Sequence, residues 1–200
     1  FYLILSQHQI LCIQKFPCYS IIKQRRRGGI KMVKFRNIAT AFLIRDNDIL
    51  LMKRSDKKEI KPGFWSGVGG HLECEEINNP RAACLREIYE ETGIRENQIS
   101  DLKLKYIVLR RWFDEIVINY MYFGRTITSH VIENDEGTLH WINKDSVLSH
   151  VSFDALSLTL AHYLEYGDSI DNVLTGIVTT DESNKSVTNW NTLQDMKDRI

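Results

Sequence analysis

The 200-residue chain has few prolines and cysteines, no excess of charge of either sign and no long apolar run. Its 26 basic and 26 acidic residues give no electrostatic reason to expect a nucleic acid or an anionic membrane as a partner. No uninterrupted apolar run reaches the ~18 residues of a membrane-spanning helix. The four cysteines form no C-x-x-C pair, so we expect reduced thiols and a cytoplasmic protein. The 43% hydrophobic content suffices for one sizeable core.

Residues 1–31 differ in character from the remainder. They are apolar, interrupted by polar residues, and end in Arg25-Arg26-Arg27, whereas a secretory signal carries its charge before the apolar stretch. We interpret residues 1–31 as a leader that is non-native or disordered, with translation starting at Met32, since Arg-Arg-Arg-Gly-Gly is what a purine-rich ribosome-binding site would encode. An amphipathic targeting arm is the alternative. We expect one domain over residues 32–167, and a C-terminal extension, residues 168–200, packed on or near it.

Strand and helix patterns alternate along the chain and predict an α+β fold. The β-prone runs Ile38 to Ile44 and Ile49 to Met52 flank Asp46-Asn47-Asp48, which is typical of a hairpin turn. We expect further strands near residues 102–109, 116–123, 137–142 and 172–180, a helix over residues 153–166 and a short amphipathic end over residues 190–196.

Three glutamates cluster just before Gly93. Glu87, Glu90 and Glu91 are spaced i, i+3 and i+4, which places them on one side of a helix within one turn. Like charges this close repel by a few tenths of a kcal/mol per exposed pair. The cluster is therefore either a solvated acidic face or a site for a cation, and tightly grouped carboxylates suit Mg²⁺ or Mn²⁺.

The other side of this segment predicts a helix with a defined start and end. The apolar positions at helical spacing are Leu85, Ile88, Tyr89 and Thr92. Asn79 fits the N-cap, Pro80 the first helical position, and Gly93 the residue after the end. Arg86 lies four residues before Glu90 and can hold its carboxylate.

The helix and the loop before it resemble the Nudix box, Gly-x5-Glu-x7-Arg-Glu-U-x-Glu-Glu-x-Gly-U, in which U is aliphatic. The matching residues are Gly70, Glu76, Arg86, Glu87, Ile88, Glu90, Glu91, Gly93 and Ile94. Nine residues, not seven, separate Glu76 from Arg86. Two residues added inside the helix would rotate the glutamates by about 200°, so we expect them in the loop before Pro80. The role of Glu76 stays open.

The resemblance covers roughly Lys34 to Gly167 and implies the Nudix-type α/β/α sandwich with a mixed sheet. It also implies Mg²⁺-dependent attack of water on a diphosphate linked to another moiety, with Mn²⁺ as the alternative ion. A nucleoside triphosphate carries about four negative charges, so a cation must lie between it and the glutamates. By motif position, Arg86 orients the metal ligands. The implied ligands are Glu87, Glu90, Glu91 and the carbonyl of Gly70 or Gly69.

A fourth carboxylate precedes the strand expected at residue 137. In many Nudix relatives an acidic residue at this place reaches the metals or the attacking water, and Glu136 matches it. As an isolated pattern, Asn-Asp-Glu-Gly is also an ordinary turn. The implied catalytic set is Glu87, Glu91, Glu136 and Arg86, and Glu87 and Glu136 are both candidates for the general base.

The segment Met52 to Ser55, followed by Gly63 to His71, looks like the MutT-type enzymes of nucleoside triphosphates, including those that act on 8-oxo-dGTP. No proline follows the box, which argues against the ADP-ribose group, and signatures of the coenzyme A and NADH groups are missing. The candidate substrate-binding residues are Phe153 and Asp154 for the base and Lys53 and Arg54 for phosphates. The alternatives are helix-start residues for the first pair and solvated cations for the second. Trp65 is either a base-stacking or a core residue.

We therefore expect a Mg²⁺-dependent pyrophosphohydrolase that converts nucleoside triphosphates to monophosphate and pyrophosphate. The partner expected is a small-molecule nucleotide, without nucleic acid or membrane, and a homodimer is left open. One alternative is a Nudix-fold nucleotide sensor without turnover, and another is a hydrolase of a different nucleoside diphosphate linked to X. An isopentenyl diphosphate isomerase would need a catalytic Cys in a partner motif, which we do not find.

Overall fold

The computed structural model describes residues 20–26, 29–57, 62–132 and 135–195. Within these ranges there are two α-helices, α1 (Pro80–Thr92) and α2 (Asp154–Tyr166). The strands are β1 (Ser20–Arg26), β2 (Gly29–Arg45), β3 (Asp48–Arg54), β4 (Trp65–Ser66), β5 (Val68–His71), β6 (Ile99–Trp112), β7 (Glu115–Thr126), β8 (Gly137–Asn143), β9 (Leu174–Thr180), β10 (Ser186–Val187) and β11 (Trp190–Thr192). Neither helix is long and apolar enough to cross a membrane.

The strands form one mixed sheet. Its main order is β10-β9-β6-β7-β2-β3-β4, with β5 and β1 also paired to β2, β8 to β3, and β11 to β9. Two pairs, β2 with β7 and β6 with β9, are parallel. The hairpin expected around residues 46–48 is confirmed, since Ile44 pairs with Ile49 and Arg45 with Asp48.

Side chains of the central strand β2 alternate between two apolar cores. Phe42 and Ile44 pack with Leu156 and Leu160 of α2, while the intervening residues face the core that contains Ile88 of α1. Because successive strand residues point to opposite faces, the two helices cover the two faces of the sheet. The α+β sandwich with a mixed sheet is therefore confirmed.

The start and end of α1 agree with the sequence. The helix begins at Pro80, where the Asn79 side chain accepts a hydrogen bond from the Ala82 amide at 3.3 Å. It ends at Thr92, and the next residue, Gly93, has a φ of 73°, which glycine adopts readily. The extra residues lie before the helix, after a short 3₁₀ turn at Cys74–Glu76. The prediction that the insertion is looped out is confirmed.

The apolar side of α1 differs from the expectation at two positions, Tyr89 and Leu85, and Leu85 is half-buried and belongs to neither core. Ile88 and Thr92 are fully buried, but Tyr89 is 52% exposed. The core contacts are made instead by Ala83 and Cys84 together with Ile88. The buried side of the helix therefore includes Glu91, which is only 9% exposed.

Residues after α2 add strands to the sheet. β9 runs parallel to β6, and β11 pairs with β9, so Trp190–Thr192 is a strand where we expected a short amphipathic end. The Trp190 ring lies 4.9 Å from the ring of Tyr106, which is fully buried.

At the other end of the chain, residues 1–19 lie outside the described residues. β1 pairs antiparallel with the first residues of β2. Whether residues 1–31 belong to the native protein stays a prediction.

Candidate functional site

A close approach between strand β5 and helix α1 defines the site. The Gly69 amide donates a hydrogen bond to Oε2 of Glu91 at 2.8 Å. Gly69 has a φ of +153°, and a Cβ on it would lie 2.0 Å from the carbonyl oxygen of Ala39. A Cβ on Gly70 would lie 2.5 Å from Oε1 of Glu87. Glycines at these two positions therefore let the strand lie directly against the carboxylates.

Arg86 connects the acidic side chains that lie near strand β5. Its Nε donates to Oε1 of Glu76 and its Nη2 to Oε2 of Glu76, both at 2.9 Å. Nη1 donates to Glu87 at 2.9 Å and to Glu90 at 3.1 Å, and Nη2 also reaches the His71 carbonyl oxygen at 3.1 Å. The expected contact between Arg86 and Glu90 is confirmed. Glu76, whose place the sequence left open, pairs with Arg86 through both of its oxygens, the strong fork geometry of guanidinium and carboxylate.

Burial makes the negative charge on Glu91 costly. Loss of water, with a further contribution from the charges of Glu87 and Glu136, raises its pKa to about 8 despite the favourable hydrogen bond from Gly69. Burial also raises the pKa of Glu87, partly offset by Arg86. Hydrogen bonds from Arg86 lower the pKa of Glu76 instead. The site thus holds one carboxylate, Glu76, whose negative charge is neutralised by Arg86. The other two, Glu87 and Glu91, lack enough nearby positive charge to offset the cost of their burial.

The donor chemistry fits a divalent cation. Hard carboxylate oxygens, together with a buried acid whose pKa is raised, are what Mg²⁺ or Mn²⁺ would stabilise. Glu87, Glu90 and Glu91 share one side of α1, but each is held by a protein donor, either Arg86 or the Gly69 amide. Among the residues described, no three acidic, His or Cys side chains form a group that could hold a metal ion.

Glu136 and Arg54 lie near the glutamates. Both act electrostatically on Glu91, Glu136 raising and Arg54 lowering its pKa. Their strands are neighbours, since Arg54 pairs with Gly137, and the Ser55 amide donates to the Glu136 carbonyl at 2.9 Å. The structure thus brings Glu136, Arg54 and the α1 glutamates to one edge of the sheet.

The remaining candidates lie elsewhere. Lys53 pairs with Trp65 of β4 and Thr138 of β8. The Trp65 ring lies 5.0 Å from His140 and 4.9 Å from His150 and packs against the α2-side core. In the described part of the chain, the contacts of Lys53 and Trp65 are with these strands and rings, and not with the α1 glutamates.

Phe153 and Asp154 lie at the start of α2. The Arg110 guanidinium carbon lies 4.4 Å above the Phe153 ring, and the Phe64 ring centre is 5.7 Å away. Oδ2 of Asp154 accepts a hydrogen bond from the Ser186 hydroxyl at 2.6 Å. Both side chains therefore have protein partners.

The sequence analysis missed two arginines on the α2 side of the sheet, Arg36 and Arg110. Each stands in the register of a strand that further along faces the α2-side core, as Phe42 does in β2 and Val108 does in β6. A charged residue in the inward register of a strand is the signal that could have identified them.

Stability of the metal-free protein should fall as pH rises from about 5 to about 8. The folded state holds the Glu91 proton up to pH about 8, whereas the unfolded chain releases it near pH 4.5, so the folded state binds more protons in this interval. We expect Tm measured in EDTA to fall across the interval, Mg²⁺ to raise Tm most at its upper end, and Glu91→Gln to flatten the profile. A Tm that falls equally in wild type and Glu91→Gln would contradict the assignment to Glu91.

Comparisons with known proteins agree with this geometry. The family model described as NUDIX domain matches residues 34–164. A solved structure of a mutator MutT protein from Bacillus halodurans is 20% identical, with a TM-score of 0.61 over 78% of this chain and 97% of that one. A NUDIX hydrolase from Nitrosomonas europaea is 14% identical, with a TM-score of 0.62 over 83% and 97%. A C. elegans Ap4A hydrolase is 14% identical, with a TM-score of 0.56 over 67% and 98%. At these identities the likeness concerns the fold.

Proposed function

Since the chain belongs to the NUDIX domain family and is a hydrolase of phosphoric anhydride bonds, we propose that it is a Mg²⁺-dependent pyrophosphohydrolase of nucleoside triphosphates. The water oxygen attacks phosphorus, the bond from that phosphorus to the bridging oxygen breaks, and the products are nucleoside monophosphate and pyrophosphate. The observation that carries the proposal is the contact of the Gly69–Gly70 turn with the carboxylates of Glu87 and Glu91.

In the proposed site, Glu87, Glu90, Glu91 and the carbonyl of Gly70 would hold the cation. Bound Mg²⁺ would neutralise phosphate oxygens and lower the pKa of a coordinated water. Arg86 fixes Glu87 and Glu90 through Nη1, and Glu76 fixes Arg86 in turn. The role of Arg86 is thus to hold the carboxylates of Glu87 and Glu90 in position, while the carboxylate of Glu76 holds Arg86.

A carboxylate takes the proton from the attacking water. Glu87 and Glu136 are the candidates, since Glu87 has a pKa raised by burial and Glu136 lies close enough to raise the pKa of Glu91. A general base works best when its pKa lies near the working pH. The positive charge of Arg54 lowers the pKa of Glu91, which supports the assignment of Arg54, with Lys53, to the phosphate chain.

Several substrates remain compatible with this site. An oxidised purine nucleotide such as 8-oxo-dGTP is the substrate that the resemblance to MutT enzymes suggests, with Phe153 and Asp154 as candidates for the base. Another nucleoside diphosphate linked to X is the alternative, and solved relatives are named as Ap4A hydrolase and ADP-ribose pyrophosphatase. A cytoplasmic location and a homodimer stay predictions.

The chain retains Arg86 and all three glutamates, which favours an enzyme over a nucleotide sensor. These four charged groups converge on one turn, and a buried, destabilised acid such as Glu91 costs folding energy. A protein that only bound nucleotides could replace that acid without loss.

The proposal is tested by incubating purified protein with canonical nucleoside triphosphates, 8-oxo-dGTP, Ap4A and ADP-ribose, with Mg²⁺ or with EDTA. We expect Mg²⁺-dependent release of pyrophosphate and monophosphate from at least one triphosphate. If only Ap4A or ADP-ribose is hydrolysed, that nucleotide and not a nucleoside triphosphate would be assigned as the substrate. Nucleotide binding without turnover of any of these substrates would identify a sensor.

The two candidate bases should differ in their pH dependence. Glu87→Gln and Glu136→Gln are each compared with wild type in kcat measured from pH 5 to 10. The variant that lacks the base should lose the rise of kcat with pH on the acidic side, because that rise follows deprotonation of the base. If both variants keep it, neither residue is the base.

A further inference from the structure

Arg36 and Arg110 lie in one row across three strands on the α2 side of the sheet. Arg36 of β2 is opposite Val117 of β7, and Val117 is opposite Arg110 of β6. Directly opposed residues point to the same face. That face carries Phe42, Phe123 and Tyr106 of the α2-side core further along the strands.

Strand β5, which contacts Glu91, pairs with β2 close to the arginine row. Gly69 of β5 is opposite Thr40, and His71 is opposite Ile38. From Thr40 to Arg36 is four residues along β2, or about 13 Å at strand spacing. The arginine row therefore lies on the α2 side of the sheet, about 13 Å along β2 from the strand pair whose Gly69 contacts Glu91.

Two aromatic rings lie close to the guanidinium of Arg110. The guanidinium carbon lies 4.4 Å above the Phe153 ring and 5.4 Å above the Trp112 ring. The guanidinium also carries five N–H donors, which lie in its plane. In-plane donors are the geometry that binds carboxylates and phosphates as a fork.

The charges at this row do not balance. Arg36 is paired with Glu115, and in the described part of the chain no ion pair involves Arg110. Burial and the charge of Arg36 lower the pKa of Arg110 to about 10. Two arginines with one carboxylate leave one positive charge in a half-buried place, which an anion would neutralise.

We propose that Arg110, supported by Arg36, binds a second phosphate group on the part of the substrate remote from the scissile anhydride. The substrate class is then a nucleotide with a further phosphate on its ribose, in place of one that ends in a neutral sugar and base. This inference rests on the proposed function, since it takes the nucleotide to extend from the glutamates across this face.

The test is equilibrium binding by calorimetry in EDTA, which needs neither metal nor turnover. The probes are AMP, adenosine 2′,5′-bisphosphate and adenosine 3′,5′-bisphosphate. We expect wild type to bind at least one bisphosphate about tenfold or more tightly than AMP. Arg110→Gln should remove this gain. Arg111→Gln is the matched control, because its side chain follows Arg110 on the opposite face and contacts the Phe113 carbonyl, and it should keep the gain.

Arg110→Lys provides a second variant in case Arg110→Gln does not fold. It keeps the charge but loses the planar fork, so a reduced gain is expected. Equal affinity for AMP and both bisphosphates in wild type would overturn the inference. So would an Arg110 variant that weakens AMP and bisphosphate equally, because that pattern indicates recognition of the base. Triphosphate hydrolysis by wild type, assayed separately with Mg²⁺, tests the proposed function whatever the binding result.

Discussion

Replacing Glu91 by Gln is expected to lower kcat for nucleoside triphosphates by roughly 10²- to 10³-fold, the size of losing one electrostatic contact to a transition state. The amide keeps the shape of the side chain, and its oxygen can still accept the hydrogen bond from Gly69. The charge that would bind the cation is lost. Because burial disfavours that charge, the folded state should be as stable as wild type or more so at pH 8.

The measurement is steady-state kinetics at saturating Mg²⁺ together with thermal unfolding. Glu75→Gln is the control, since Glu75 is an exposed acid in the short turn before α1. It should change kcat by less than about twofold, as surface substitutions away from a site usually do little. Near wild-type turnover of Glu91→Gln would show that Glu91 does not hold the metal.

Gly69→Ala is expected to destabilise the fold by about 3 kcal/mol or more and to remove activity. The new Cβ would lie 2.0 Å from the Ala39 carbonyl oxygen and 2.8 Å from Cα of Thr40, both backbone atoms of β2. The φ of +153° adds strain for any residue with a side chain. The β2–β5 pair would have to separate, which moves the amide away from Glu91.

Thermal unfolding measures the effect, and a loss of this size corresponds to a Tm lower by roughly 6–12 °C. Gly124→Ala is the control, because its Cβ would meet the flexible end of the Leu102 side chain at 3.0 Å. The Tm of this control should fall by less. Equal Tm values for Gly69→Ala and wild type would show that β5 can shift without cost.

Local signals in the sequence were sufficient for α1 and the first hairpin. Asn79, Pro80 and Gly93 fix the ends of the helix through their own backbone and capping chemistry, and the structure confirms them. The spacing of Glu87, Glu90 and Glu91 needs only the helical repeat. These features do not depend on distant residues, so they could be predicted from short windows.

Features that depend on distant contacts could not be predicted in this way. Glu76 is placed by its pairing with Arg86, and Tyr89 is exposed while Ala83, Cys84 and Ile88 make the core contacts of α1. Arg110 acquires its neighbours from α2 and β7. The sequence contains these residues but not the strand order that brings them together.

The parallel pairing of β2 with β7 has a consequence for how the chain reaches its native state. The hydrogen bond from Thr40 to Asn119 joins residues 79 positions apart, at 3.1 Å and in a buried place. A contact between residues so far apart in sequence stabilises the fold only after a long loop has closed. The entropic cost of closing that loop slows folding. During synthesis, β2, β5 and α1 therefore leave the ribosome before β7, and the edge of β2 that pairs with β7 stays open until β7 follows.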